Sequence, residues 1–124
     1  RQGLTSMQAW FRFLLLAWLA IGTSLGLARE NVTVDWVLLA NLPIEAQRTV
    51  ALIKQGGPFP YSRDGITFGN YEKRLPLRQR GYYHEYTVKT PGSRDRGARR
   101  MIAGRESEFY YTDDHYRSFQ RIQE

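Results

Sequence analysis

An α+β domain is predicted, with an N-terminal helix packed on a four- to five-stranded antiparallel sheet, and three observations point to it. Helix-favouring signals are confined to one place, between Asn41 and Gly57. After residue 58 the chain falls into short runs rich in aromatic and β-branched residues. Glycine, proline and charged turn residues separate these runs at hairpin spacing, which favours neighbouring antiparallel strands. With 124 residues, 42% of them hydrophobic, the chain fills one modest core and not two.

The first element reads as an export signal. Arg12 precedes an apolar stretch at residues 13–21, and Gly22, Thr23, Ser24, Gly26 and Ala28 supply small residues behind it. A membrane-spanning helix needs about 20 apolar residues, and this stretch weakens sooner. Residues 1–28 are therefore expected to be a signal peptide cleaved after Ala28, leaving residues 29–124 as a single secreted domain; an uncleaved anchor or a buried helix is the alternative. Residues 1–6 lack signal character, which points to a start at Met7 or further upstream.

The helix comes next. Asn41 is expected to cap it, Pro43 to occupy its first turn, Glu45 to complement the helix dipole and Gly56-Gly57 to stop it. Ala46, Val50 and Ile53 then share one face. Pro58-Phe59-Pro60 and the Asp64-Gly65 turn lead into strands expected at 66–68, 82–88, 99–103, 109–112 and 118–122. One face of the sheet should pack on the helix while the other stays open to a ligand.

The formal net charge is +6, so a polyanion is a natural partner. The basicity is concentrated between Glu72 and Arg105. There is no cysteine, which removes disulfides, zinc knuckles and thiol nucleophiles, and the two histidines, His84 and His115, are too few for a dedicated metal site.

Three separated segments hold the candidate chemistry: His84-Glu85-Tyr86, the arginine-rich run from Arg94 to Arg100, and His115-Tyr116. Strand alternation puts Tyr83, Glu85 and Thr87 on one face and His84, Tyr86 and Val88 on the other. Singly, each segment has a plainer reading as an ion pair, a solvated basic face or a loop histidine. Together they match the needs of RNA cleavage through its own 2'-hydroxyl: a base for that proton, an acid for the leaving 5'-oxygen, and cations around the phosphoryl oxygens. Arginine suits phosphate because its planar fork donates two parallel hydrogen bonds and stays charged. A site that needs the 2'-hydroxyl is blind to DNA.

Seven segments in order carry a more specific resemblance: PFPY at 58–61, Asp64-Gly65, FGNYE at 68–72, Leu75-Pro76, GYYHEYTV at 81–88, TPGSRDRGARR at 90–100 and YYTDDHY at 110–116. Over roughly residues 42–122 the chain resembles the secreted bacterial guanyl-specific ribonucleases, the group containing barnase and the streptomycete enzymes. The resemblance implies the microbial ribonuclease fold. It also implies cleavage of single-stranded RNA 3' of guanosine through a 2',3'-cyclic phosphate, with no metal or other cofactor. Residue by residue, it implies Glu85 as general base, His115 as general acid and Arg100 as the transition-state arginine. Arg96 matches a second phosphate-binding arginine and Tyr116 a substrate-binding tyrosine. Guanine would be read by residues 68–72, through main-chain amides around Asn70 and Tyr71 and through the Glu72 carboxylate, which accepts from guanine N1 and N2. Adenine would leave that carboxylate unpaired. Phe68 has two readings, packing on the base or filling the core.

Two departures stand out. Tyr71 replaces an arginine common among relatives, which implies a weaker hold on RNA or on an inhibitor that mimics phosphate. The disulfide of the streptomycete relatives has no counterpart here, as in barnase. The implied partners are single-stranded RNA and a small acidic inhibitor of barstar type, with a monomeric enzyme and no lasting membrane association after signal cleavage. His84 is expected to have a structural or surface role, and Tyr82, Tyr83, Tyr110 and Tyr111 to pack the sheet. Arg74, Arg78 and Arg80 are expected to form a solvated edge that steers RNA. The rival readings are a non-catalytic basic RNA-binding module of the same fold and a membrane-tethered protein.

Overall fold

The aromatic and branched runs pair into one sheet of six strands in the computed structural model, which describes residues 32–124. The expected signal segment, residues 1–28, lies outside the described residues. The strands are β1 (Asp35–Leu38), β2 (Ile66–Phe68), β3 (Tyr83–Thr87), β4 (Arg100–Gly104), β5 (Phe109–Thr112) and β6 (Gln120–Gln123). They lie in the order β1-β6-β5-β4-β3-β2. Helix α1 (Ile44–Gln55) follows β1 and a single 3-10 turn (Leu39–Asn41). Among the described residues, no helix is long and apolar enough to cross a membrane.

The α+β class holds, with two corrections. The sheet has six strands instead of four or five, and it is mixed. β1 pairs parallel to β6, with Asp35 opposite Gln120 and Leu38 opposite Gln123. Its sequence, Asp-Trp-Val-Leu, has no clean alternation, and Trp36 and Leu38 are exposed, so only a distant partner makes it a strand. The helix start also moves. Asn41 is used up in the 3-10 turn and Pro43 takes the N-cap position without a side-chain cap bond. Gln47 instead reaches back to the Leu42 carbonyl at 3.0 Å. The stop is as expected: Gly56 sits at φ 85, and its N–H and that of Gly57 satisfy the carbonyls of Ile53 and Leu52.

Alternation along β4 and β5 divides the interior between the two faces of the sheet. On the helix side lie Leu42, Ala46, Val50, Val88, Met101, Phe109, Tyr111 and Ile122. On the other side Leu75, Tyr82, Tyr83, Ile102 and Tyr110 form a second core. That second face is thus mostly covered by the chain's own loops, and its margin beside β2 and β3 opens as a cleft.

The second core is anchored on a buried carboxylate. Glu108 accepts hydrogen bonds from the Tyr82 hydroxyl at 2.5 Å, the Tyr110 hydroxyl at 3.4 Å and the Glu106 N–H at 3.3 Å. Burial, followed by the Glu108 charge, pushes the Tyr110 phenol up to about 12, so it remains a donor. Glu108→Ala is expected to destabilise the domain by about 1–3 kcal/mol, because two buried hydroxyls lose their acceptor. Urea unfolding measures this, and a loss below a few tenths would contradict it.

Candidate active site

Glu85 lies at the centre of β3, opposite Ile66 of β2 and Ile102 of β4, and is 8% exposed. Its carboxylate is held on both sides. Oε2 accepts from the Tyr116 hydroxyl at 3.0 Å, and Oε1 lies 3.5 Å from Nη2 of Arg96. Arg96 is aimed in turn by its Nε, which donates to the buried Thr87 hydroxyl at 2.9 Å. Thr87 and Glu85 are two residues apart, so the strand period itself puts acceptor and carboxylate on one face. Burial, and next the Glu85 charge, raise the Tyr116 phenol above its ordinary value, keeping it a donor to Glu85.

The arginines come from the loop before β4. Asp95 shapes that loop by accepting from the Ser93 hydroxyl at 2.7 Å and the Gly97 N–H at 2.8 Å. Gly97 has φ 66, and a side chain there would strike Thr90. Arg100 is 4% exposed, and its Nη1 donates to the carbonyls of Gly97 at 2.9 Å and Arg99 at 2.7 Å. Its Nε is buried without an acceptor among the described residues, and its guanidinium carbon lies 6.0 Å from the centre of the Tyr116 ring. Arg99, by contrast, turns away to pair with Glu45 of α1 at 3.4 Å.

His115 and Tyr116 follow β5 in a tight turn, both at positive φ (56 and 70). The His115 ring is exposed and lies 4.9 Å, centre to centre, from that of Tyr116. His115 therefore joins the group by the contact of its ring with Tyr116 and by its main-chain N–H, which donates to the Ala98 carbonyl at 3.0 Å. Asp114 holds the turn: it accepts from the Thr112 and Ser118 hydroxyls and from the N–H groups of Arg117 and Ser118, at 2.5 to 3.1 Å.

These bonds, the Ser118 hydroxyl first, hold the Asp114 carboxyl down at about 2 from an ordinary 3.8. The unfolded turn binds a proton near pH 4 while the folded turn resists it, so the stabilisation is full above about pH 4 and is lost as pH falls toward 2. The protection factors of the amides at residues 115–118, corrected for intrinsic exchange, are expected to fall as pH drops across that window in the wild type. In Asp114→Asn they should be low already at pH 5, with no step between pH 4 and 2; equal protection in both proteins would refute this.

The loop after β2 forms the other wall. Asn70 has φ 52, and its side-chain amide is turned to Leu75, donating to the Leu75 carbonyl at 2.9 Å and accepting from the Leu75 N–H at 3.1 Å. These two bonds brace the loop and hold its main chain in place. The Tyr71 side chain is 81% exposed and its ring lies across Gly69, where any added side chain would collide with it. Phe68 packs within the protein, its ring stacked on Tyr116 at 5.2 Å and meeting Phe119 at 5.9 Å, and it also lines the cleft.

This cleft, of about 310 Å³, is bordered by Arg63, the 66–72 segment, Arg74, Glu85, Tyr116 and Phe119. It brings Phe68, Asn70, Tyr71, Glu72, Glu85 and Tyr116 together; Arg96, Arg100 and His115 stand behind or beside Glu85 and Tyr116. His84, opposite Thr67 and Ala103, is not among the lining residues. Arg74 is exposed, as expected of a solvated edge, but it also bonds Glu72 at 2.8 Å and the Tyr116 carbonyl at 2.7 Å. Local sequence carries no signal for that, since Tyr116 is 42 residues away. Chemically, the site offers a buried carboxylate, an accessible imidazole and two aimed guanidiniums at one end, and an aromatic, amide-lined loop with a carboxylate at the other.

Residues 28–123 match the model of a family described as ribonuclease. The chain is 58% identical over 87 residues to guanyl-specific ribonuclease Sa3 of Kitasatospora aureofaciens, covering 69% of this chain and 62% of that protein. It is 57% identical over 85 residues to guanyl-specific ribonuclease St of Saccharopolyspora erythraea, covering 68% and 84%. The match thus spans less than two thirds of the first relative's length. Among solved structures it is similar to ribonuclease Sa2 with guanosine-2'-cyclophosphate, at 50% identity and a TM-score of 0.71, covering 73% of this chain and 97% of the other.

Proposed function

This chain belongs to the ribonuclease family, and from that premise we propose that it is an endoribonuclease cutting single-stranded RNA after guanosine, through a 2',3'-cyclic phosphate. The observation that carries the reading is Glu85. It is a buried carboxylate held between the Tyr116 hydroxyl and Arg96, opening on the same cleft as the 68–72 loop.

In the proposed transfer step Glu85 takes the proton of the ribose 2'-hydroxyl, and the 2'-oxygen attacks phosphorus. The bond to the 5'-oxygen breaks as His115 donates it a proton. Arg96 and Arg100 offset the charge that builds on the non-bridging oxygens, with Tyr116 beside them. Water then opens the cyclic phosphate with the roles of Glu85 and His115 exchanged. Guanine lies on the 68–72 loop, where main-chain N–H groups donate to O6 and Glu72 accepts from N1 and N2, with Phe68 and Tyr71 at the faces and edge of the base. All these roles belong to side chains and main chain, so the proposal requires no metal.

Mixed-sequence RNA incubated with the protein tests this reading. The expected products end in guanosine 2',3'-cyclic phosphate and later in guanosine 3'-phosphate, DNA of the same sequence stays intact, and chelator has no effect. Cleavage after all four bases alike would refute the guanine assignment, and intact RNA would leave a non-catalytic binding module. We further propose export, on the apolar segment and small residues ending at Ala28, and a monomer of residues 29–124 whose net charge of +4 suits a small acidic inhibitor.

A further inference from the structure

We propose that Arg74 is a positioning residue that sets guanine discrimination, by holding the Glu72 carboxylate and the His115-Tyr116 turn in one geometry. The inference rests on the guanine-reading role of Glu72 proposed above. Arg74 lies two residues past Glu72, and its two terminal nitrogens are split between two loops. Nη2 meets Glu72 Oε2 at 2.8 Å and Nη1 donates to the Tyr116 carbonyl at 2.7 Å.

An exposed ion pair alone is a weak constraint, and the Glu72 side chain is 68% exposed. The second bond changes the argument. The guanidinium is planar, so fixing one nitrogen on a main-chain carbonyl fixes the direction in which the other meets the carboxylate. The carbonyl belongs to a residue at φ 70 in a turn already pinned by Asp114, and the near side is braced by Asn70 on Leu75. Both ends of the bridge are therefore stiff. A carboxylate that must accept from N1–H and N2–H of one base together needs a set orientation, and Arg74 supplies it. Because the same guanidinium touches the turn that bears His115, correct seating of the base is linked to placement of the acid.

Hypoxanthine keeps N1–H and O6 but lacks the N2 amino group, so a dinucleotide with inosine in place of guanosine isolates the second hydrogen bond. For Arg74→Ala, kcat/KM on the guanosine dinucleotide is expected to fall about tenfold and the guanosine-to-inosine ratio several-fold. Arg74→Lys should restore part of the rate but not the ratio, because a point charge cannot bridge both acceptors. In a Glu72→Gln background, Arg74→Ala should leave the ratio unchanged. Equal losses on both dinucleotides, or no loss, overturn the proposal, since a merely structural arginine lowers both together. Wild-type protein that cleaves both dinucleotides equally instead removes the reading of Glu72, and the assignment with it; that outcome is seen before any variant is compared.

Discussion

Glu85→Gln is expected to lower kcat for RNA transfer by about 10²- to 10⁴-fold while leaving the fold and product affinity nearly unchanged. The substitution keeps the shape of the side chain and an oxygen for the Tyr116 hydroxyl, now at 3.0 Å from Oε2. It removes only the capacity to accept a proton and the charge facing Arg96. The pH profile sharpens the test. A base and an acid acting together give a bell-shaped curve, and the variant should lose the limb that rises with pH while the falling limb persists. Near-normal turnover in Glu85→Gln would exclude this residue as the base. Guanosine 3'-phosphate binding, measured by calorimetry, controls for damage to the base-reading loop 68–72, since that loop is braced through Leu75 and not through Glu85.

Arg100→Lys comes second, with an expected loss of about 10²- to 10³-fold in kcat/KM although charge is kept. Arg100 is not a free cation. One terminal nitrogen is occupied by the carbonyls of Gly97 and Arg99, and this aims the rest of the guanidinium. Lysine can meet those carbonyls or a phosphoryl oxygen, but it has no planar fork to meet both. The loss should fall on kcat more than on KM, because the charge it offsets grows toward the transition state. If Arg100→Lys retains more than about a tenth of wild-type kcat/KM, Arg100 acts as a simple point charge and the forked contact is wrong. Stability should fall as well, because buried carbonyls lose a donor, so the kinetic comparison belongs well below the unfolding transition.

Much of the architecture is legible along the chain because side-chain periodicity is local. Strands 66–68 and 109–112 are read with their observed bounds, and the others shift by one or two residues at their ends. Alternation along 83–87 also places Glu85 and Thr87 on one face and Tyr86 on the helix side. β1 escaped because Asp35–Leu38 owes its strand state to β6, more than eighty residues later, and its own pattern has no buried face. Asn41 misled because its capping chemistry is genuine, but the chain spends it on the turn before α1.

Composition and order along the chain are enough to establish an α+β domain, one carboxylate on a strand face, a basic loop and a histidine turn. Those features follow from residue type and short-range spacing. Which partners these groups meet is settled only when the loops close. The Tyr116 hydroxyl reaches Glu85 across 31 residues, and Arg74 reaches the Tyr116 carbonyl across 42. No local period encodes either contact, because each depends on how the 69–82 and 113–119 segments settle on one sheet face. Folding thus turns a short list of acid, base and cations into an oriented site, and makes a bridge of an arginine that reads, in sequence, as surface charge.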